Sequence, residues 1–287
     1  MPEKIKTIGI VGAGTMGNGI AHSAARSGFR VILCDIEPKA IERAKETISR
    51  NLDREVARDK FSAAEKARAL TQISTSNRLR DLEVADFVIE AVIENLDSKL
   101  KILNSLDTIS RPEVVLASNT SSISITKLAA ATKKPANVIG MHFMNPVPVM
   151  NLVEVVRGLA TSDQTHSTTE ELAKSLGKTP VTVNDFPGFV SNRVLMPMIN
   201  EAIFCVMEGV GSAESIDSIM KLGMNHPMGP LSLADLIGLD VCLYTMEVLH
   251  NGLGDSKYRP CPLLRKMVDA GQLGRKSGQG FFKYSRN

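Results

Sequence analysis

His142 and Glu154 stand in one short stretch of the chain, with Pro146 and Pro148 between them. Because proline cannot continue a helix, the chain must break after His142 and resume as an extended, Val- and Leu-rich run around Glu154. This layout can return the carboxylate to the imidazole, and a histidine held by a carboxylate is a common general base for proton transfer. On this stretch alone, a buried histidine beside a turn is the alternative.

A glycine loop, GxGxxG, runs from Gly12 to Gly17 between a strand-like segment and a small-residue helix. Gly12 permits a tight turn, Gly14 lets the backbone approach a pyrophosphate, and Gly17 allows close packing of helix and sheet. The start of the helix offers N–H donors and a partial positive charge. The loop therefore predicts a dinucleotide site to which Thr15 and Met16 contribute, with a flavin site or a degenerate Rossmann domain as the alternative.

Asp35 ends the strand that follows this helix, where a carboxylate can bind the adenine ribose hydroxyls. The next residues include Ile36 and Glu37, and no arginine stands there to hold a 2′-phosphate. Two acids would repel such a phosphate. The pattern therefore favours NAD over NADP.

Polar groups also follow two later strand-like runs, at the edge where open parallel sheets bind ligands. The segment Ser118–Ser122 includes Asn119 and Ser121, which could hydrogen-bond a nicotinamide ribose or a substrate oxygen. A helix cap is the alternative, since Ser and Asn favour that position. Glu94 and Lys99 follow the other run and could touch the cofactor, although solvent-exposed charges are the commoner case.

Two further sets of polar residues are candidates for substrate binding. Asn192 opens the first helix of the C-terminal part, where we expect it to face a cleft between domains, with a capping role as the alternative. Arg50, Arg54 and Arg58 recur every four residues and predict one stripe on a helix, which Lys60 extends. A phosphate-rich ligand could dock on the stripe, but the acidic residues between the arginines favour a solvated, salt-bridged face.

The elements that must position these residues alternate between strand and helix in the first part of the chain. The predicted strands are Lys4–Val11, Arg30–Cys34, Asp86–Val92, Val114–Ser118 and Val138–His142, and the predicted helices are Gly19–Ser27, 39–70 with a break near Phe61 and Ser62, and 96–110. The alternation predicts a Rossmann-type, doubly wound, mostly parallel sheet over residues 1–185. For residues 186–287 the sequence predicts an all-helical domain, with helices over 188–208, 212–222, 230–250 and 262–270. We expect this domain to serve in substrate binding and dimerisation.

Composition limits the class of protein. The chain has 287 residues, 43% hydrophobic and 23% charged, which is ordinary globular usage. Its net charge of +3 and the absence of Trp argue against a nucleic-acid binder. The four cysteines have no metal-site spacing, so free thiols and no metal are expected. No apolar run is long enough for a membrane span and no signal peptide fits before the first strand, which favours the cytoplasm.

Seven longer motifs add a resemblance to these site residues. They are GAGTMG at 12–17, EAVIENL at 90–96, SNTSS at 118–122, HFMNPVPVMNLVEVV at 142–156, DFPGFVSNR at 185–193, HPMGPLSLADLIGLD at 226–240 and GRKSGQGFF at 274–282. Together they resemble the 3-hydroxyacyl-CoA dehydrogenase family, especially its short bacterial members, over essentially the whole chain. The resemblance implies that an (S)-3-hydroxyacyl-CoA, such as 3-hydroxybutyryl-CoA, is oxidised to the 3-oxoacyl-CoA with NAD, by a homodimer.

The resemblance also implies a role for each site residue. His142 is the general base and Glu154 its orienting partner, while Ser121 and Asn192 bind the reacting end of the substrate. The residues implied to bind the dinucleotide, besides the glycine loop, are Asp35, Glu94, Lys99 and Asn119. Further substrate contacts are expected at Asn145, Arg54 and Lys60. Asn51 replaces a serine that contacts coenzyme A in the family, and Lys60 aligns only after a one-residue shift, so the arginine stripe is an alternative contact.

Two other functions fit the same scaffold. An NAD-dependent dehydrogenase of a free hydroxy acid or sugar acid would also pair a Rossmann domain with a helical domain. A non-catalytic, crystallin-like relative is the second alternative. Loss of catalytic residues would be expected in such a relative, yet His142, Glu154, Ser121 and Asn192 are all present.

Overall fold

The computed structural model describes residues 5–285, and it divides the chain into two compact units. The first unit ends at Asp185 and the second begins at Phe186. The strands of the first unit are β1 (Thr7–Val11), β2 (Arg30–Cys34), β3 (Ile73–Ser76), β4 (Phe87–Glu90), β5 (Val115–Ser118), β6 (Val138–Phe143), β7 (Leu152–Arg157) and β8 (Thr179–Asn184). Its helices are α1 (Thr15–Arg26), α2 (Pro38–Val56), α3 (Ala63–Thr71), α4 (Leu96–Ile109), α5 (Ile125–Ala129) and α6 (Asp163–Ser175).

The eight strands of the first unit form one sheet in the order β3-β2-β1-β4-β5-β6-β7-β8. Within the described residues, every neighbouring pair is parallel except β6 and β7. The central strands β1, β4, β5 and β6 are buried along their whole length, as expected for strands covered by helices on both faces. The predicted Rossmann-type, mostly parallel sheet followed by a helical domain is confirmed.

The order of strands reverses beside β1. The chain passes from β1 to β2 and β3 on one side and returns to β4 on the other. The carboxyl ends of β1 and β4 therefore border the crevice in which doubly wound sheets bind their ligands. The glycine loop follows β1, and Glu90 is the last residue of β4, so both lie at this edge of the sheet.

Four of these elements of the first unit were not predicted, namely the strands β3 and β8 and the helices α5 and α6. The two strands lie at opposite edges of the sheet, and neither forms an apolar run: β3 is mostly Ser and Thr, and β8 has only two apolar side chains between Thr, Pro and Asn. The predicted break in the 39–70 helix is confirmed, but it extends over residues 57–62 between α2 and α3.

The second unit is built from α7 (Ser191–Met207), α8 (Ala213–Gly223), α9 (Pro230–Ile237), α10 (Leu239–Leu253) and α11 (Pro262–Asp269). The single helix predicted over 230–250 is wrong, because Gly238 adopts a φ of 106° and separates α9 from α10. Leu231, Leu239 and Leu249 are fully buried in the core of this unit. No helix formed by residues 5–285 is both long enough and apolar enough to cross a membrane.

Candidate active site

His142 and Glu154 lie opposite each other as register partners in the antiparallel pair of β6 and β7. His142 Nδ1 is 2.8 Å from Glu154 Oε2, and both side chains are buried. Because a carboxylate accepts the hydrogen bond, the imidazole carries its hydrogen on Nδ1, which leaves Nε2 as the nitrogen that can take up a proton. The prediction that the chain brings Glu154 back to His142 is confirmed. Strand β6 ends at Phe143, one residue later than predicted.

A buried ion pair lies at the end of β4, which is two strands from β6 in the sheet. Glu90 Oε1 is 2.8 Å from Lys99 Nζ and also accepts from the Val92 N–H, while Glu90 Oε2 accepts from the Ser118 hydroxyl at 2.6 Å. Lys99 Nζ is also 3.4 Å from Glu94 Oε2. Because Lys99 is only 1% exposed, the solvent-exposed alternative is wrong for this residue.

Glu94 organises the turn that carries Ser121. Its Oε1 accepts from the Thr120 hydroxyl at 2.5 Å, from the Ser121 N–H at 3.0 Å, and from the N–H and hydroxyl of Ser122 at 3.1 and 2.9 Å. Burial opposes ionisation, but the Lys99 ammonium and these donors outweigh it, so the pKa of Glu94 lies below its ordinary value. The anionic carboxylate thus holds a short turn in one conformation.

Asn119 connects the ends of three strands at the same edge. Its backbone N–H donates to the Glu90 carbonyl at 2.8 Å, and its Oδ1 accepts from the Phe143 N–H at 2.9 Å. The capping role weighed for this segment falls instead to Ser124, which caps α5. Since β4, β5 and β6 are parallel neighbours, Glu94, Ser121 and His142 all lie toward their carboxyl ends.

The glycine loop has the geometry that a pyrophosphate requires. Gly12 has a φ of 104°, which glycine adopts without strain. A Cβ on Gly17 would lie 1.7 Å from the Gly12 carbonyl oxygen, so only glycine allows α1 to start so close to the loop. No described atom lies within 4 Å of a Cβ built on Gly14, so this side of the loop is open. Thr15 and Met16 form the first turn of α1.

Asp35 also fits a dinucleotide. Its Oδ2 accepts from the Ala13 N–H at 2.7 Å and its Oδ1 from the Glu37 N–H at 2.9 Å, so the carboxylate is fixed beside the loop at the end of β2. A carboxylate has further lone pairs that can accept from ribose hydroxyls. The residues at this edge therefore fit NAD, with Asp35 at the ribose and the start of α1 at the pyrophosphate.

The arginine stripe is only partly as predicted. Arg50 and Arg54 lie on α2, but that helix ends at Val56, so Arg58 and Lys60 are in the following turn and the prediction of one helical stripe is wrong for them. All four are exposed.

The acidic residues around the stripe pair with other cations. Glu42 pairs with Lys45, Asp53 with Lys66, and Glu55 with Arg26. Among the described ion pairs, none includes a cation of the stripe, so the salt-bridged face weighed from the sequence is not formed by those four residues.

Two predicted substrate contacts lie in different units. Asn145 is exposed in the connection between β6 and β7. Asn192 is the second residue of α7 in the second unit, and its backbone N–H donates to the Gly188 carbonyl at 3.2 Å. Their roles remain predictions. In the described part of the chain, no group of three or more His, Cys, Asp or Glu side chains could hold a metal ion.

Sequence reasoning did not single out Glu90 or Lys178. Glu90 has a recognisable signal, because it is an acid at the end of an apolar run, Phe87–Glu90. Lys178 has none, because a lysine after a surface helix is usually exposed. In the structure its ammonium is buried and donates to the carbonyls of Val147 and Met150.

Both units match known family models. Residues 7–186 match the model described as 3-hydroxyacyl-CoA dehydrogenase, NAD binding domain. Residues 188–284 match the model described as 3-hydroxyacyl-CoA dehydrogenase, C-terminal domain. The match therefore extends over nearly the whole chain.

Individual relatives are similar over their full lengths. A protein of Bacillus subtilis named probable 3-hydroxybutyryl-CoA dehydrogenase is 59% identical over 98% of this chain and 98% of its own. A 3-hydroxybutyryl-CoA dehydrogenase of Bradyrhizobium diazoefficiens is 53% identical over 99% of this chain and 97% of its own. The crystal structure of (S)-3-hydroxybutyryl-CoA dehydrogenase from Ralstonia eutropha superimposes with a TM-score of 0.96 at 55% identity, covering 98% of this chain and 100% of that one.

Proposed function

The chain belongs to the 3-hydroxyacyl-CoA dehydrogenase family, and from this premise we infer that it interconverts (S)-3-hydroxybutyryl-CoA and acetoacetyl-CoA with NAD. The observation that carries the mechanism is the 2.8 Å hydrogen bond between His142 Nδ1 and Glu154 Oε2. It supports the general-base role because it leaves Nε2 for proton transfer.

In the oxidation direction, His142 Nε2 accepts the proton of the C3 hydroxyl. The C–H bond at C3 breaks with its electron pair, and NAD supplies the acceptor for that hydride. The C3 oxygen becomes a carbonyl, and the imidazolium is stabilised by Glu154. In the reduction direction the imidazolium returns the proton to the C3 oxygen.

Substrate and cofactor are positioned by the polar edge of the sheet. Glu94 holds the turn so that Ser121 faces the reacting end of the substrate, and Asn192 supplies a second contact to that end. Asn119 and Asp35 bind the two riboses of the cofactor. Lys99 acts through Glu94, because its ammonium is buried between two carboxylates and is too enclosed for a direct contact.

The coenzyme A moiety is bound by the exposed cations of the arm formed by α2, α3 and the turn between them. Arg50, Arg54 and Lys60 are exposed, and none of them takes part in the ion pairs described above. Asn145 contributes a contact nearer the reacting end. Guanidinium groups suit phosphates because they donate two parallel hydrogen bonds.

The discriminating experiment compares acetoacetyl-CoA with free acetoacetate under NADH. We expect turnover only with the thioester, since the free acid lacks the group that the arm binds. Equal kcat/KM on both compounds would support a free hydroxy-acid dehydrogenase, and bound NAD without any turnover would support a non-catalytic relative. Replacing NADH with NADPH tests Asp35, and we expect kcat/KM to fall.

We also infer that two copies associate through the second unit. Several apolar side chains there are largely exposed, including Val194, Val210, Ile219, Leu222 and Met224. Ile219 and Leu222 lie one turn apart on α8 and so share a face of that helix. Exposed apolar surface can serve as an interaction site. Light scattering after gel filtration should give twice the chain mass, and a monomer mass at micromolar concentration would contradict the inference.

A further inference from the structure

Lys178 carries a buried charge that the mechanism above does not use. It lies between α6 and β8, is 8% exposed, and its Nζ donates to the Val147 carbonyl at 2.5 Å and to the Met150 carbonyl at 2.9 Å. Burial, together with the nearby Arg26 charge, lowers the pKa of Lys178, and Glu55 only partly opposes the shift. Glu55 itself pairs with Arg26. Burying an ammonium that is held mainly by carbonyls is unfavourable, so we expect this lysine to have a functional role.

The two carbonyls belong to the connection between β6 and β7, residues 144–151, which joins His142 to Glu154. The ammonium therefore cross-links two points of this connection. Without it, two buried or partly buried carbonyls would lose their donor, and the connection would change shape to recover hydrogen bonds.

The connection also packs on α1. Val147 is 2% exposed, and a Cβ built on Gly19 would lie 2.9 Å from Val147 Cβ, so the side chain packs directly on the helix backbone. The connection is thus held both by the helix that follows the glycine loop and by the ammonium of Lys178.

We propose that Lys178 is a positioning residue for the reaction, which holds the 144–151 connection in the shape that keeps Glu154 against His142 Nδ1. The consequence is a single imidazole tautomer and ring orientation, with Nε2 ready to accept the proton. This inference rests on the proposed general-base role of His142.

The kinetic test uses the full-length enzyme with Lys178→Met, which keeps an unbranched chain but removes the donors. We expect kcat to fall roughly 10- to 100-fold, as for a small misplacement of a reacting group, while KM for NADH changes less than about twofold. Lys174→Met is the matched control, because the substitution removes the same charge from an exposed position in the last turn of α6. The control should retain the parent kcat.

A double-mutant cycle separates positioning from general destabilisation. In a Glu154→Gln background, Lys178→Met should change kcat by less than about threefold, because both substitutions act on the same imidazole. Independent, multiplicative losses would overturn the proposal, as would a parent-like kcat in Lys178→Met. If Lys178→Met does not fold, Gly19→Ala displaces the Val147 side chain instead and is judged by the same cycle.

A readout that does not need substrate is the ¹⁵N NMR spectrum of ring-labelled His142. The parent should show one tautomer protonated on Nδ1, and Lys178→Met should show a mixture. An unchanged tautomer in the variant would overturn the proposal even if the substrate assignment were wrong. Absence of turnover in the parent would count only against the proposed function.

Discussion

The carboxylates at the edge of the sheet act mainly by holding other groups in place. The pairs are Asp35 with the Ala13 N–H, Glu90 with Lys99, Glu94 with the turn of Ser121, and Glu154 with His142. Groups fixed in this way need no reorganisation when charge develops during a reaction. Catalytic power at this site would therefore depend on supporting side chains as much as on those that touch substrate.

Replacing His142 with Gln tests the base directly. We expect kcat for 3-hydroxybutyryl-CoA oxidation to fall by roughly 10²–10⁴, because the amide cannot take up the proton. The dissociation constant of NADH, measured by fluorescence titration, should stay within about threefold of the parent value, since His142 is not expected to hold the cofactor. A loss of only a few-fold in kcat would remove the general-base assignment.

Single residues were predictable where their chemistry is unusual for their place. The His142 and Glu154 pair followed from two prolines, and Asp35 followed from its distance to the glycine loop. Lys178 could not be predicted, because its partners are backbone carbonyls that no residue type reveals. Glu90 was only partly predictable: an acid at the end of an apolar strand is unusual, but the sequence does not show that Lys99 is its partner.

At the scale of elements, the two glycines before and within the first turn of α1, Gly14 and Gly17, have different roles. Gly17 is required by the fold, because its Cβ would overlap the Gly12 carbonyl, whereas Gly14 faces open space in the described structure. The same loop thus contains one glycine for packing and one for the approach of a phosphate.

This difference predicts opposite results for two alanine substitutions. Gly17→Ala should lower the thermal midpoint markedly, since backbone must move, and NAD binding should be lost with it. Gly14→Ala should keep the midpoint within about 2 °C but weaken NADH binding at least roughly tenfold, which corresponds to about 1.4 kcal/mol. Calorimetry and fluorescence titration measure both quantities. Tight NADH binding by Gly14→Ala would contradict the assignment of the open side to the pyrophosphate.

The arm supplies a second test at this scale. Arg54→Glu should raise KM for acetoacetyl-CoA by roughly tenfold and leave kcat at saturation nearly unchanged, because a remote charge adds uniform binding. Lys45→Glu is the control, since Lys45 is also on α2 but pairs with Glu42. Equal KM values for the two variants would place coenzyme A elsewhere.

Elements with strong apolar periodicity were predicted, and those at the margins were not. Strands β1, β4, β5 and β6 are buried throughout and β2 is largely buried, and their sequences are apolar runs. In contrast, β3 and β8 are largely exposed edge strands with few apolar residues. The division of α9 from α10 depends on the φ of Gly238, because glycine within a helix-like pattern does not by itself specify a break.

At the scale of the whole molecule, His22 links stability to pH. Burial, with Arg26 and Lys178 nearby, lowers the pKa of His22 from 6.5 to about 4. Although Glu55 Oε1 lies 3.3 Å from Nε2, neither ring nitrogen forms a hydrogen bond to a described residue, so burial prevails. Between these two pH values the unfolded chain binds the proton and the folded chain does not.

The free energy of unfolding should therefore decrease as pH falls from about 6.5 to 4, by an amount on the order of 3 kcal/mol from this residue. His22→Gln should show a smaller decrease over the same interval in urea titrations at pH 7 and 4.5. His250→Gln, with a half-buried histidine in the second unit, should keep the parent dependence. Identical pH dependence in His22→Gln and the parent would contradict the prediction.

The antiparallel pairing of His142 with Glu154 also restricts how this gene can change length. Successive residues of a strand point to opposite faces, so a slip of one residue would turn the carboxylate away from the imidazole. Insertions or deletions in the 144–151 connection should therefore be selected against far more strongly than those in the exposed turn at 57–60. The test is a library of single-codon insertions, scored for growth on a substrate that requires the enzyme. Insertions in the 144–151 connection should be depleted after selection, and insertions at 57–60 should be retained.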